Sequence, residues 1–215
     1  MKYIVKGEEP TELAAFKVSD DENWIPQYAA LPGDKKRRIH SALLTEQGYI
    51  CCYFIRRIDA GSSHIDHWQP QSVPPEELAI EYGNMLESCQ REVDPGEPLR
   101  CGKLKENWYD PDRMVSPLEE DCEERFRFTA NGDILSADGD DVAAEETIKR
   151  LGLDLPVVIA SRREAIGAIV DDLDEFSSHE LRTLTRNILV RREDGSFHEY
   201  CVAVAYVVRG LIPGG

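Results

Sequence analysis

The chain has 215 residues and a formal net charge of −16. That length suits one sizeable core, and the acidic balance argues against a protein that holds nucleic acid by itself, because sequence-independent affinity comes from cations that neutralise phosphates. No apolar run reaches the roughly 18 residues a membrane helix needs, and Met1 to Pro10 lack the apolar stretch of a signal peptide, so a cytoplasmic protein with no membrane partner is expected.

In chain order, residues 34 to 46 combine a charged opening with Ile39, Leu43 and Leu44 at helical spacing, which predicts an amphipathic helix ending before Gly48. Tyr49 to Ile55 are rich in β-formers, Gly61-Ser62-Ser63 offers a turn, and His64 to Trp68 can return antiparallel, which predicts a β-hairpin. After Pro74-Pro75, the spacing of Leu78, Tyr82, Met85 and Leu86 predicts a helix. Residues 94 to 117, broken by Pro95, Gly96, Pro98, Gly102, Pro111 and Pro117, read as an irregular loop region.

A second hairpin is expected from Arg125 to Thr129 and Ile134 to Leu135, around the turn signal Asn131-Gly132. The last third reads as helical. Thr147 to Leu151 belong to one helix, Ile159, Ile166, Ile169, Val170 and Leu173 line a second, and Leu181, Leu184 and Ile188 a third. The final segment sets Phe197, Tyr200, Cys201, Val204, Val208 and Leu211 on one helical face. The fold class expected is α+β, mostly α, with a ββα element embedded in a helical domain.

The stretch with chemistry in it is Ile65-Asp66-His67-Trp68-Gln69-Pro70-Gln71-Ser72, followed by Asn84, Cys89, Cys101 and Lys105. A histidine can deprotonate water near neutral pH. A neighbouring carboxylate can hold a divalent cation that polarises a phosphoryl group. An isolated Asp-His pair is weak evidence, and a hydrogen-bonded structural histidine is the commoner use of such a residue. Six cysteines, at 51, 52, 89, 101, 122 and 201, suit buried thiols or metal ligands better than disulfides. Basic clusters at Lys35 to Arg38, Arg56-Arg57, Arg162-Arg163 and Arg191-Arg192 either meet phosphate or form solvated faces, the second being commoner.

These blocks resemble the HNH endonuclease superfamily, and in particular the HNH-type B subunit (PtuB) of Septu anti-phage systems, also found with retrons. The resemblance takes in Met1 to Ile4, Glu46 to Tyr53, Asp66 to Ser72, Cys122 to Phe126, and Glu199-Tyr200-Cys201 with Ala205-Tyr206, and so covers nearly the whole chain. It implies an N-terminal helical segment over 1–48, a ββα nuclease core over 49–117, and a second hairpin with C-terminal helices over 118–215, all one compact unit. It implies His67 as general base and Asp66 as ligand of a catalytic Mg²⁺ or Mn²⁺. Asn84 would fix the loop after the histidine, and Lys105 would lie near phosphate. The implied partners are an ABC-type ATPase (PtuA-like) in a hetero-oligomer, a DNA or RNA substrate bound in that complex, and retron RNA or DNA where a retron is present.

Two departures from the family pattern stand out. The usual structural zinc uses two cysteine pairs, but here Cys51 is followed three positions later by Phe54, leaving Cys51, Cys89 and Cys101, with Cys52 a poor fourth ligand. Members of the family also carry a ligand just after the last cysteine, where this chain has Gly102; His64 and Asn107 are candidates to compensate, His64 joining Asp66 and His67 as a metal-site residue. A non-catalytic scaffold or sensor that binds the ATPase is the alternative.

Overall fold

The computed structural model describes residues 1–18, 24–171 and 173–213. It mixes helix with two small sheets, an α+β arrangement. Helices α1 (Thr11–Lys17) and α2 (Gly33–Glu46) precede strands β1 (Ser63–His67) and β2 (Met85–Cys89). The short α3 (Cys101–Lys105) leads to β3 (Phe126–Phe128) and β4 (Ile134–Ser136), then α4 (Val142–Arg150), α5 (Pro156–Val170), α6 (Ser178–Leu189) and α7 (Cys201–Gly210).

The strand expected over residues 49 to 55 is not formed. Ile50 bridges only Arg57, and the chain turns sharply through residues 51 to 54, with Tyr49 and Ile55 at φ 58° and 61°. β-propensity reports fitness for a half-buried pleat, whereas every residue from Ile50 to Ile55 is buried at 3% exposure or less. Packing on all sides overrides the strand preference. β1 therefore pairs elsewhere, with β2, in antiparallel register His64↔Ser88, Asp66↔Leu86 and His67↔Met85.

The helix expected after Pro74-Pro75 is also replaced. Two short 3₁₀ turns, Glu76–Ile80 and Tyr82–Asn84, carry Leu78 and Tyr82, and Met85 and Leu86 already belong to β2. Tight i,i+3 turns run into a strand can mimic helical spacing over so few residues. The ββα element expected over residues 49–55, 64–68 and 78–86 is therefore not formed there; in chain order β1 and β2 are followed by the short α3. α3 interrupts the region expected to be loop. At the C-terminus, α7 begins at Cys201, so Phe197 lies before it and Tyr200 is its left-handed N-cap residue at φ 53°.

The main core gathers Tyr53, Phe54, Leu86, Phe126, Val158, Ile166, Leu181, Val204 and Val208, with α7 packed between α5 and α6. A smaller cluster of Leu13, Leu31, Ile39, Leu43, Ile80, Tyr82 and Met85 lies between α2 and the first sheet. Burying each of these aliphatic side chains stabilises by roughly 1.5–3 kcal/mol, and β1–β2 is held between the two clusters.

The β3–β4 hairpin turns at Gly132, where φ is +87° and an added Cβ would stand 2.3 Å from the Ile159 carbonyl oxygen of α5. Gly132→Ala is expected to lower the urea unfolding free energy by about 1–3 kcal/mol; an unchanged midpoint would show that α5 is free to move away.

Candidate metal and histidine site

Consecutive strand residues project to opposite faces, and the end of β1 uses both. His64 and Asp66 project toward α3, where an ideal Cβ on Gly102 would lie 3.0 Å from His64 Nε2, from Asp66 Cγ and from Ser88 Oγ. The glycine leaves room for these three side chains to converge. His64 Nδ1 is buried with no hydrogen-bond partner, and burial pushes this imidazole below its ordinary pKa, so it is held as a neutral nitrogen donor.

Asp66 accepts a 2.6 Å hydrogen bond from the buried Tyr53 hydroxyl. The Lys105 ammonium, fully enclosed, stands 3.6 Å from Asp66 Oδ2 and donates to the His67 carbonyl oxygen at 2.6 Å. A phosphate contact would require this side chain to turn outward. Asn107 is exposed.

His67 leaves the other face of β1, toward α2. Its Nε2 lies 2.9 Å from the Ala79 carbonyl oxygen, which can only accept, so Nε2 carries the proton and Nδ1 keeps its lone pair. Gln71, an exposed residue, stands 3.3 Å from Nδ1, and the Tyr28 ring packs edge-on at 4.6 Å. The side chain is 5% exposed. Burial lowers its pKa, and the Ala79 contact and the Asp66 charge only partly oppose that. The outcome is a neutral imidazole of fixed tautomer whose basic nitrogen lies under a movable amide.

Asn84 locks the loop that follows. Its side-chain oxygen accepts from the Gln69 N–H at 2.8 Å, and its nitrogen donates to the Gln69 and Leu78 carbonyl oxygens at 2.9 Å each. Gln69 donates in turn to the carbonyls of Val73 and Pro74. The backbone around His67 is tied by side chains rather than by regular structure.

Close to the same hairpin, three thiols meet. Cys89 Sγ lies 3.3 Å and Cys51 Sγ 3.8 Å from Cys101 Sγ, and the Cys89 N–H donates to Cys51 Sγ at 3.3 Å. All three ligand atoms lie within 4.8 Å of one another and could hold a metal ion. Burial pushes the Cys51 thiol up, but hydrogen bonds with Cys101, Cys52 and Cys89 outweigh it and hold it well below the usual range. Cys52 is buried but outside this group, and Phe54 packs edge-on against Tyr200 at 5.3 Å.

The chain matches no protein-family model and no curated protein. The arrangement of its own residues therefore carries the functional argument. Of the basic clusters, Arg57 donates to the Phe197 carbonyl, Arg162 is buried against the carbonyls of Gly132 and Leu153, and Arg191 caps the last carbonyls of α2 at Thr45 and Glu46. Three arginines that read as possible phosphate ligands are thus committed to backbone. Sequence reasoning passed over Tyr53, Gln71 and Tyr28, since nothing in their spacing marks a residue that acts by packing on another element.

The histidine geometry makes a titration testable. The lowered folded-state pKa means that His67 contributes stability present above its unfolded value of about 6.5, and lost as pH falls toward the folded value. NMR titration of its ring protons is expected to give a midpoint below 6.5, and Tyr28→Ala is expected to move that midpoint back up; a midpoint at or above 6.5 in the parent chain would contradict the enclosed, neutral ring.

Proposed function

We propose that this chain is a metal-dependent endonuclease of HNH type, the nuclease subunit of a Septu-like anti-phage complex controlled by an ABC-type ATPase. The observation that carries the reading is the pairing, on adjacent residues of β1, of a histidine whose Nδ1 is covered only by the Gln71 amide and a carboxylate that converges with His64 on the space at Gly102. The strand, strand, helix order of β1, β2 and α3, with Asn84 bracing the loop after His67, supports the same reading.

The donor set fits a divalent cation. His64 Nε2 and the Asp66 carboxyl group both face the space at Gly102, so these two residues would hold Mg²⁺ or Mn²⁺. A bound ion supplies Lewis-acid polarisation of a phosphoryl oxygen. His67 Nδ1 accepts the proton of the attacking water once Gln71 swings aside, while the Ala79 carbonyl holds the ring and takes up the charge that develops on Nε2–H. Tyr53 and Lys105 position Asp66 and the His67 backbone.

The net charge of −16 and the committed arginines favour a complex in which the partner supplies phosphate affinity, whether the substrate is DNA, RNA or a retron product. Among the described residues no helix is long and apolar enough to cross a membrane. In the complex co-expressed with the ATPase encoded beside it, cleavage of plasmid DNA or total RNA is expected with Mg²⁺ or Mn²⁺, lost with chelator, and reduced at least about 100-fold by His67→Ala. Equal cutting by the folded variant would sink the nuclease reading. A second reading, a scaffold that no longer cuts, is favoured by the enclosed Lys105 ammonium already near Asp66; a folded complex that cuts neither substrate would select it.

Cys51, Cys89 and Cys101 would hold a structural Zn²⁺, which joins the 51–54 turn, β2 and α3. Zinc retained at the thiol group through purification is expected, with Cys101→Ser losing one equivalent and melting at lower temperature. Metal-free protein of unchanged melting temperature would reject zinc here.

A further inference from the structure

On the α2 side of β1–β2 a second polar group is enclosed, and nothing in the nuclease reading uses it. Glu87 is 0% exposed, and its Oε1 has no hydrogen-bond partner. His40, from α2, brings Nε2 to 2.8 Å from Glu87 Oε2 and equally to 2.8 Å from Ser63 Oγ. The Ser63 hydroxyl gives its own proton to the Asp59 carbonyl at 2.8 Å, so its lone pairs are what remain for the cluster. Three atoms that bear lone pairs thus crowd together and share at most one hydrogen, the one on His40.

Such an arrangement is costly as it stands, since a buried carboxylate with a single imidazole beside it loses its hydration and regains little of it. Other cations do not relieve it. Lys6, whose ammonium feels the Glu87 charge, is hydrogen-bonded to Glu46 and to the Met85 carbonyl. A metal ion that accepts imidazole nitrogen, carboxylate oxygen and hydroxyl oxygen together would satisfy all three atoms at once. First-row divalent ions with mixed nitrogen and oxygen ligands do that, zinc foremost.

We propose that His40, Glu87 and Ser63 form a second cation site, for Zn²⁺ or a similar divalent ion, separate from the Asp66 and thiol groups. The ion would join α2 to the β1–β2 ladder, because His40 stands on α2, Ser63 opens β1 and Glu87 lies in β2. Its role is to clamp α2 onto the hairpin while discharging the buried carboxylate. The inference does not depend on the nuclease reading, and the two fail separately.

The test uses the full-length chain, stripped with chelator and titrated with Co²⁺. A thiolate site gives intense sulfur-to-metal charge-transfer absorption, and a nitrogen and oxygen site only weak visible bands. His40→Ala and Glu87→Gln are each expected to lose one equivalent of bound Co²⁺ while the charge-transfer band is kept, and to lose part of the rise in melting temperature that Zn²⁺ brings. Asp66→Ala, measured alongside, removes its own equivalent and must leave the one assigned to His40 and Glu87 in place. Glu87→Gln keeps the side-chain volume, so it guards against a His40→Ala variant that does not fold. A metal count in folded Glu87→Gln equal to that of the parent chain overturns the proposal.

Discussion

The five-residue antiparallel ladder between β1 and β2 sets the geometry on which the candidate chemistry depends. Its alternation sends His64 and Asp66 toward α3, and Ser63 and His67 toward α2, so two polar sites grow back to back from one short strand. A slip of one residue would exchange the faces, placing Asp66 in the apolar cluster of Ile39, Leu43 and Met85 and removing His67 from Tyr28. The register is held from outside the ladder, by Gln47 bonded to the backbone of Glu87 at both N–H and carbonyl, and by Asn84 spanning the loop at its open end.

The same hairpin concentrates polar groups that are expensive to bury. Lys105, Asp66, His67 and Glu87 are each 9% exposed or less. The first three are paired by tyrosine, carbonyl or carboxylate partners, whereas Glu87 has only His40 beside it and the His64 Nδ1 has no partner. Natural proteins leave few such atoms unsatisfied, and those that persist tend to mark ligand or catalytic positions. His64 and Glu87 lie on opposite faces of one hairpin, which links the two proposed cation sites to a common architecture.

Charge tells a similar story at larger scale. An excess of 41 acidic over 25 basic residues makes free basic side chains scarce, and the structure commits Arg57, Arg162 and Arg191 to carbonyl oxygens that helix ends and turns leave open. Tyr28 and Gln71 meanwhile cover His67.

By itself the sequence determined those elements whose signals are local. Asn131-Gly132 specified the β3–β4 turn, and three- and four-residue spacing specified α2, α5 and α6. Cys201 to Gly210 read as helix despite their valines, because one face is apolar throughout. It also singled out Asp66, His67, Asn84 and the three cysteines by residue type. Tertiary structure decided which of them meet. Residues 49 to 55 became a turn because burial on every side outweighed strand propensity, and Met85 and Leu86 became strand because β1 needed a partner once that segment was lost to it. The Tyr53 bond to Asp66, the Gln71 cover on His67 and the meeting of His40 with Glu87 join residues on different elements, and no local pattern encodes contacts that exist only after those elements pack.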